Sequence, residues 1–420
     1  MLATDETTPG PGSKPAPTPP TPALAQLTPA ALPWEAPAPA PPIRARAPLQ
    51  WLGSLPGRGL DALCRSGRPD AVPDAGLSLD ALAARVRESP RANAYLSLEP
   101  GLRQILTNDG LVTWAAARRH AFIVGGVHAP DPDAFTRILA HARGALAAAR
   151  YRRVLLFPLA SDERHAACAA GFKSMMVGAE AIIDPHGFVL HGKRHADLRQ
   201  MVNRGTKRYG LRVSELSPVT HHGVMAQLYW RWLDDRPAGH RMQLLVGTPC
   251  LERPAGRRYF GVFAPGDAQH PVPVAFVSLT PGWGGRGWGL DVMVRSPDAP
   301  AGAMDVLLTH IIGQLADEGA ERFSLGACPM AERTPIPSGD SRVLRAVFRW
   351  LYRSSLARRL FPFDSLARYK DKFTPTWEAV HLAGWPTINV GALYTGCRMW
   401  GLFGPPPLTI GAHPAPVASL

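Results

Sequence analysis

One strongly basic segment, Gly192–Gly210, holds the residues of this chain best suited to bind a polyanion. Leu198, Met201 and Val202 give it an apolar stripe at helical spacing, and Gly210 follows at the point where a helix would end. The spacing therefore predicts a helix with one face in a core and cations on the rest. Six cations stand against a single acid: Lys193, Arg194, Arg199, Arg204, Lys207 and Arg208.

The positive charge of the chain is concentrated in two segments. Residues 191–212 carry a net charge of +6 and residues 341–372 carry +7, which together equal the formal net charge of +13. In the second segment, Arg345 and Arg349 belong to a predicted amphipathic helix, Arg342–Arg359. Two concentrated patches favour nucleic acid, anionic lipid or another polyanion as a partner, whereas the alternative is a basic enzyme with solvated helix faces.

The cysteines and histidines indicate neither disulfides nor a metal site. The five cysteines are far apart, form no Cys-x-x-Cys pair and have no histidine at metal-ligand spacing, so we expect free thiols in a reducing cytoplasm. Phosphate-binding loops and hydrolase motifs are also absent from convincing contexts. We therefore expect no metal and no bound cofactor.

The sequence predicts no membrane-spanning segment. The first twelve residues lack the pattern of a signal peptide, and no run of 18 apolar residues occurs. We expect a cytoplasmic protein whose contact with the inner face of a membrane, if any, is peripheral.

Composition and periodicity divide the chain into six parts and predict an α/β (α+β) fold built from two similar modules. Residues 94–98 are predicted as a strand, and the last part as a loosely packed tail. The parts are a disordered Pro/Ala-rich segment (1–50), a linker with a short helix (51–90), a first module (91–190), a basic bridging helix (191–212), a second module with a basic C-terminal helix (213–383) and a Gly/Pro-rich tail (384–420).

Four motifs in order resemble the C-terminal domain of the phosphatidylglycerol lysyltransferase (multiple peptide resistance factor) family. They read VGAEAIIDPHGFVLHGKRHADLRQMVNRGTKRYG, GLDVMVRSPDAPAGAMDVLL, RFSLGACPM and LARYKDKFTPTWEAVHLA, within residues 95–383. The resemblance implies two tandem GNAT-like (acetyltransferase-type) modules bridged by the basic helix. It also implies transfer of an aminoacyl group from aminoacyl-tRNA to a hydroxyl of an anionic lipid such as phosphatidylglycerol, with no role for DNA.

The same resemblance assigns candidate site residues. Asp291 matches the acid of the family's Asp-Leu-Met-Arg motif, and Lys370 and Lys372 match the lysines of its Lys-x-Lys-Phe motif. A carboxylate at Asp291 could accept the substrate's α-ammonium group or act as general base, and the lysines could hold the ester carbonyl or a phosphate. The alternative for Asp291 is a structural acid paired with Arg295 or Lys370. The expected substrate-binding residues are Arg295, Ser324 and Gly326.

Two departures from the family pattern affect these assignments. The arginine of the acidic motif stands one place later, at Arg295, so either the strand carries a bulge or the role of that arginine is lost. A second family arginine is missing after Trp377. These differences keep open a non-catalytic member that binds tRNA or anionic lipid.

A second enzymatic alternative is a GNAT-like acyltransferase that uses acyl-CoA or acyl carrier protein. CoA-dependent members need free backbone N–H groups at a helix N-terminus to hold pyrophosphate. The segment before the corresponding helix, RSPDAPAGAM, contains two prolines and an aspartate. Since proline lacks an N–H and aspartate adds negative charge, this segment argues against CoA.

Overall fold

The computed structural model describes residues 70–117, 119–235, 247–266, 272–337, 339–353 and 363–400. Several predictions lie outside these residues: the disordered segment 1–50, the first part of the linker, the end of the basic helix beyond Arg353, and the tail after residue 400. A helix in the linker is confirmed as α1, Leu79–Arg87, and Ser78 caps it by accepting a bond from the Ala81 N–H.

Eleven strands of the described residues form one sheet in the order β1-β2-β3-β4-β11-β5-β10-β9-β8-β7-β6. Their bounds are β1 Arg103–Thr107, β2 Gly110–Ala117, β3 His120–His128, β4 Arg153–Leu159, β5 Lys173–Ile183, β6 Arg212–Leu216, β7 Arg258–Phe263, β8 Ala275–Gly282, β9 Gly287–Arg295, β10 Arg322–Pro329 and β11 Thr376–Trp385.

Eight further α-helices of the described residues cover the sheet or connect its strands. They are α2 Pro132–Ala148, α3 Arg164–Ala169, α4 Ala196–Asn203, α5 His222–Asp234, α6 Ala303–Asp317, α7 Arg342–Arg353, α8 Phe363–Asp371 and α9 Val390–Met399.

The two predicted modules are present, and they exchange their last strands. In the first module β3 and β4 are parallel neighbours, and in the second β9 and β10 repeat this arrangement. The first module ends with β5, which lies between β10 and β11 of the second module. The second module ends with β11, which lies between β4 and β5 of the first. The two modules therefore share one continuous sheet.

Each module has its own helix over a hydrophobic core. Helix α2 buries residues at helical spacing, including Phe135, Ile138, Leu139 and Leu146, against the first module. Helix α6 is apolar on most of its surface and packs against β7, β8 and β10 of the second module. These two cores hold the exchanged strands and the bridging segment in place.

The bridging segment is helical, as predicted, but not as one regular helix. A 3-10 turn at Lys193–His195 precedes α4, and a π-helical turn, Arg204–Arg208, follows it. Glycines with positive φ flank the helical part, Gly192 at 77° and Gly210 at 59°. The Leu198 side chain is fully buried, so the apolar stripe faces a core as expected.

Three sequence-based assignments of secondary structure were wrong. Residues Ala92–Leu98 form a 3-10 helix rather than a strand, since their buried side chains pack on β3 and β8 without entering the sheet. Strand β11 was not predicted. Helix α9 occupies the first part of the predicted tail, and it buries Leu393 and Met399 beneath β4. Its small residues hide the amphipathic pattern.

Candidate active site

The parallel strands β9 and β10 pair at their N-terminal ends only. Their hydrogen-bonded register joins Gly287–Gly289 to Arg322–Ser324 and stops there. Beyond Ser324 the strand β10 has an irregularity at Leu325–Gly326, and Gly326 has a φ of 84°. The name β9–β10 gap is used here for the space between the two strands beyond this last paired position. Strand irregularities of this kind are common next to active sites.

Asp291 stands on β9 two residues beyond the last paired position, at the mouth of the β9–β10 gap. It is the extra residue of a bulge, because β8 pairs with Leu290 and Val292 and leaves Asp291 without a partner in the register. The bulge anticipated from the shifted arginine is therefore present. It places the exposed Arg295 on the opposite face from Asp291, near Tyr369, where burial raises the pKa of the Tyr369 hydroxyl and the Arg295 charge opposes the shift.

The carboxylate of Asp291 is buried beside a buried cation. Arg257 Nε donates to Asp291 Oδ2 at 3.0 Å, with side-chain exposures of 1% and 8%. Burial raises the pKa of Asp291, while the Arg257 charge opposes the shift. The partner of Asp291 is thus neither Arg295 nor Lys370, the two cations that the sequence suggested. Arg257 lies directly before β7 and next to Arg258, and nothing in its own segment marked it as the partner of Asp291.

Further polar groups surround this ion pair. Ser278 Oγ donates to Asp291 Oδ2 at 3.4 Å, and the backbone N–H of Thr248 donates to Glu99 Oε1 at 2.8 Å. Gly247 lies against Asp291 Oδ1 so closely that a Cβ at this position would overlap the carboxylate. Since the charge of Glu99 also acts on Asp291, the site is a polar cluster of the second module to which the first module contributes Glu99.

Lys370 occupies the other side of the β9–β10 gap. Its side chain comes from the last turn of α8, is 5% exposed, and donates to the carbonyl oxygens of Gly326 at 2.8 Å and Ala327 at 3.3 Å. Burial lowers the pKa of the Lys370 ammonium group. Lys370 and Gly326 belong to two different sequence motifs, and the structure brings them into direct contact.

Glu180 on β5 completes this side, and sequence analysis did not select it. Ser324 Oγ donates to Glu180 Oε1, and the backbone N–H of Gly326 donates to Ser324 Oγ at 2.8 Å. Burial raises the pKa of Glu180, and the charge of Lys370 opposes the shift. A lone acid within the apolar strand AEAII was the available signal.

Lys372 lies apart from Lys370. Its ammonium group is 3.4 Å from Asp305 Oδ1 in the first turn of α6, and it contacts the Tyr369 ring. The cysteine beside Lys370, Cys328, is fully buried, and burial raises the pKa of its thiol. A thiol that is harder to ionise is a poor nucleophile, so packing is the role of Cys328 here.

The N-terminus of α6 contacts protein backbone where a CoA-dependent enzyme would hold pyrophosphate. Gly302, with a φ of 90°, lies so close to the Met201 carbonyl of α4 that a Cβ would overlap it. Gly205 likewise packs against Val306. Because the bridging segment covers this helix end, the acyl-CoA alternative has no binding position there.

The corresponding position of the first module is filled by its own side chains. Strand β3 bulges at Gly125 and Gly126 after its parallel pairing with β4. The fully buried guanidinium of Arg91 lies directly against Gly126 and forms an ion pair with Glu163. We therefore place the candidate site in the second module.

The predicted polyanion-binding cations fall into two groups in the structure. In the bridging segment Arg204 and Arg208 lie against the Tyr209 ring, at 5.7 and 5.6 Å from its centroid, and Arg199 donates to the Gly192 carbonyl. Lys193, Arg194 and Lys207 are exposed. On α7, by contrast, Arg345 and Arg349 are both 3.3 Å from Glu332 Oε1, so part of their charge is neutralised within the chain.

The exchanged strands, the two parallel pairs and the open gap define a tandem GNAT-like protein. Within that class, the chain belongs to the phosphatidylglycerol lysyltransferase C-terminal family, whose model matches residues 83–384. The fold is also similar to that of L-PGS from Bacillus licheniformis, with a TM-score of 0.63 and 20% identity over 79% of this chain and 97% of that one. A C-terminal DUF2156 domain from Agrobacterium fabrum gives a TM-score of 0.61 and 21% identity over 75% and 93% of the two chains.

Two curated relatives carry names from the same family. The lysylphosphatidylglycerol biosynthesis bifunctional protein LysX of Mycobacterium sp. (strain KMS) is 32% identical over 222 residues, which are 50% of this chain and 19% of the relative. The phosphatidylglycerol lysyltransferase of Bacillus subtilis (strain 168) is 26% identical over 219 residues, 51% of this chain and 24% of the relative. The match thus spans a quarter or less of each relative. Among the described residues, no helix has the length and apolarity to cross a bilayer.

Proposed function

We propose that this chain transfers an aminoacyl group from aminoacyl-tRNA to a hydroxyl of an anionic lipid such as phosphatidylglycerol. One observation carries the proposal: Asp291 on β9 and Lys370, which reaches β10 from α8, border the same β9–β10 gap, where strand pairing stops at Gly289 and Ser324. Family membership supports the choice of reaction. The names of the two curated relatives, which refer to lysylphosphatidylglycerol synthesis and phosphatidylglycerol lysyl transfer, support the choice of acceptor.

In this proposal each buried charge has one task. Asp291 accepts the α-ammonium group of the aminoacyl ester, with Arg257 holding the carboxylate in place. Lys370 supplies positive charge near the ester carbonyl, where negative charge develops when the acceptor oxygen attacks. Glu180 takes the proton of the attacking hydroxyl, a role that suits a carboxylate whose pKa is raised.

The transfer itself exchanges one ester for another. A bond forms between the acceptor oxygen and the carbonyl carbon, and the bond to the tRNA ribose oxygen breaks. The ribose oxygen leaves with the proton that Glu180 took from the acceptor hydroxyl. Lys372 and three exposed cations of the bridging segment, Arg204, Lys207 and Arg208, are proposed to hold the phosphates of the tRNA end. The covered N-terminus of α6 supports a donor other than CoA.

The test is transfer of label from aminoacyl-tRNA to lipid. Purified protein is incubated with each of a set of labelled aminoacyl-tRNAs and with phosphatidylglycerol vesicles. Label that enters the lipid phase and disappears after RNase pretreatment is the expected result. Absence of label with every amino acid would contradict the proposal.

A second candidate is a non-catalytic member that binds tRNA or anionic lipid. It is favoured by the observation that Asp291 and Lys370 already have protein partners, Arg257 for the first and two carbonyl oxygens for the second. Under this alternative, tRNA binding survives Asp291→Ala and no transfer occurs with any donor.

A further inference from the structure

A cavity of about 490 Å³ opens where β5 ends and the bridging segment begins. Its volume falls within the usual range for small-ligand sites. The walls come from the end of β5, the connection to the 3-10 turn, and the start of β11. Six residues matter for its chemistry: Ile182, Phe188, Lys193, Arg194, His195 and Thr376.

One wall of this cavity is cationic. Lys193 and Arg194 both line it and both are exposed to solvent. The lining also contains one acid, Asp184, whose Oδ1 accepts a bond from the backbone N–H of His186 in its own turn. The two cations therefore outnumber the acid, and an arginine next to a lysine suits a phosphate group.

The floor of the cavity is aromatic and fixed. Phe188 packs against His195 at 5.3 Å and Phe373 at 6.4 Å between ring centroids. His195 Nδ1 donates to the Lys372 carbonyl at 3.2 Å, so its Nε2 accepts from Thr374 Oγ1 at 3.3 Å. The floor is thus tied directly to the backbone of a proposed site residue.

The rim adds an apolar side chain beside the cations. Val189 lines the cavity and is 64% exposed, although valine is usually buried in folded proteins. An exposed aliphatic residue next to Lys193 and Arg194 matches the boundary between acyl chains and phosphates at a membrane surface. This combination favours a lipid over a nucleic acid, which offers no aliphatic surface.

The cavity lies next to the candidate active site along the sheet. Ile182, in its wall, pairs with Ser324 on β10 and with Thr376 on β11. Glu180 is two residues further along β5, a step of about 7 Å in a strand. A headgroup held in the cavity would therefore extend toward the carboxylate that is proposed to take the proton of the attacking hydroxyl.

From these observations we infer that this cavity binds the phosphodiester headgroup of the anionic lipid acceptor, with Val189 against its acyl region. The inference rests on the proposed function for the identity of the acceptor. The binding step itself needs no catalysis, so it can be measured separately.

The test compares three variants in equilibrium binding to vesicles. The vesicles contain phosphatidylcholine with or without 30% phosphatidylglycerol, on the order of a normal anionic fraction. Lys193→Ala/Arg194→Ala removes the cationic wall. Thr376→Trp fills the mouth without changing charge. The matched control, Lys207→Ala/Arg208→Ala, removes two cations from the same segment outside the cavity.

We expect Lys193→Ala/Arg194→Ala to weaken binding to phosphatidylglycerol vesicles about 30-fold, from roughly a fivefold loss per cation. Thr376→Trp should also weaken it, while the Lys207/Arg208 control should lose much less. Equal losses in both double variants would show a non-specific charge effect and overturn the inference. A loss of tRNA binding in place of vesicle binding would assign the cavity to the donor and also overturn it.

The transfer assay separates this inference from the proposed function. If the wild type transfers label and Thr376→Trp changes neither transfer nor vesicle binding, the lipid-binding role of the cavity is rejected and the proposed function is kept. If the cavity variants weaken vesicle binding but neither the wild type nor any variant transfers label, the cavity is kept as a lipid site and the proposed function is rejected.

Discussion

Arg257 and Asp291 form a buried ion pair at the mouth of the β9–β10 gap, with 3.0 Å between Nε and Oδ2. Breaking a buried pair from one side leaves the other charge uncompensated, whereas replacing both partners removes that cost. The pair therefore links the stability of the second module to the carboxylate that the proposal assigns to the substrate.

Arg257→Met should lower the free energy of unfolding by about 3–5 kcal/mol, because it leaves the Asp291 carboxylate buried without its cation. Urea denaturation of the purified variant measures this loss. The double variant Arg257→Met/Asp291→Asn should be less destabilised than Arg257→Met. As a control, Arg286→Met breaks an exposed pair with Glu321 and should change stability by less than about 1 kcal/mol. Similar losses for Arg257→Met and Arg286→Met would contradict this account.

Gly302→Ala tests the contact between the bridging segment and α6. The residue has a positive φ, and a Cβ would overlap the Met201 carbonyl, so we expect a loss of about 2 kcal/mol or more. Gly313→Ala is the matched control within the same helix, since nothing lies within 4 Å of a Cβ there. That control should stabilise the helix by about 0.5–1 kcal/mol. Thermal unfolding of both variants measures these changes in stability. A Gly302→Ala variant as stable as the wild type would mean that α4 and the N-terminus of α6 do not touch as described.

His128 should make the protein sensitive to acid. Burial lowers the pKa of His128 to about 3, from an ordinary value of 6.5. Between these values the unfolded chain binds a proton that the folded chain does not, so stability falls as the pH drops below 6.5. The loss from this residue should reach about 2 kcal/mol by pH 5.

The measurement for His128 is the free energy of unfolding between pH 7 and pH 4.5. His128→Gln should flatten the pH dependence, and the exposed His310→Gln should leave it as in the wild type. His381, whose pKa burial lowers to about 4, keeps part of the slope in both variants. An unchanged slope in His128→Gln would show that His128 titrates normally.

The double variant Arg204→Ala/Arg208→Ala tests the exposed cations of the bridging segment. Loss of two phosphate contacts should weaken tRNA binding and reduce the slope of log K against log salt by about 1.4–1.8. Arg137→Ala, which removes a cation paired with Asp109 on the first module, is the control. A slope unchanged from the wild type would mean that these arginines are only solvated.

The sequence predicted the modules, the bridging helix and the motif residues, because each depends on local pattern. The shifted arginine left two alternatives, a bulge or a lost role, and the structure shows a bulge at Asp291. The exchange of β5 and β11 was not accessible in this way. Strand pairing over such distances in sequence depends on which edges meet in the folded chain, and periodicity carries no information about that.

Parts of the candidate site were missed for a related reason. Glu180 stands in an apolar strand and Arg257 directly before one, and nothing in their own segments shows which gap or carboxylate they will meet. Lys370 and Gly326 were selected separately, yet only the packing of α8 on β10 brings them together. The assigned roles of Asp291, Lys370 and Lys372 stay predictions until transfer is measured.

The most direct test of the central claim is the rate of aminoacyl transfer to phosphatidylglycerol by the wild type and by Lys370→Met. The account predicts RNase-sensitive transfer by the wild type and a loss of about 10²–10³-fold in the variant, the effect of removing one group that stabilises developing charge. Unfolding of the variant is checked in parallel. Transfer by a folded Lys370→Met at the wild-type rate would contradict the account.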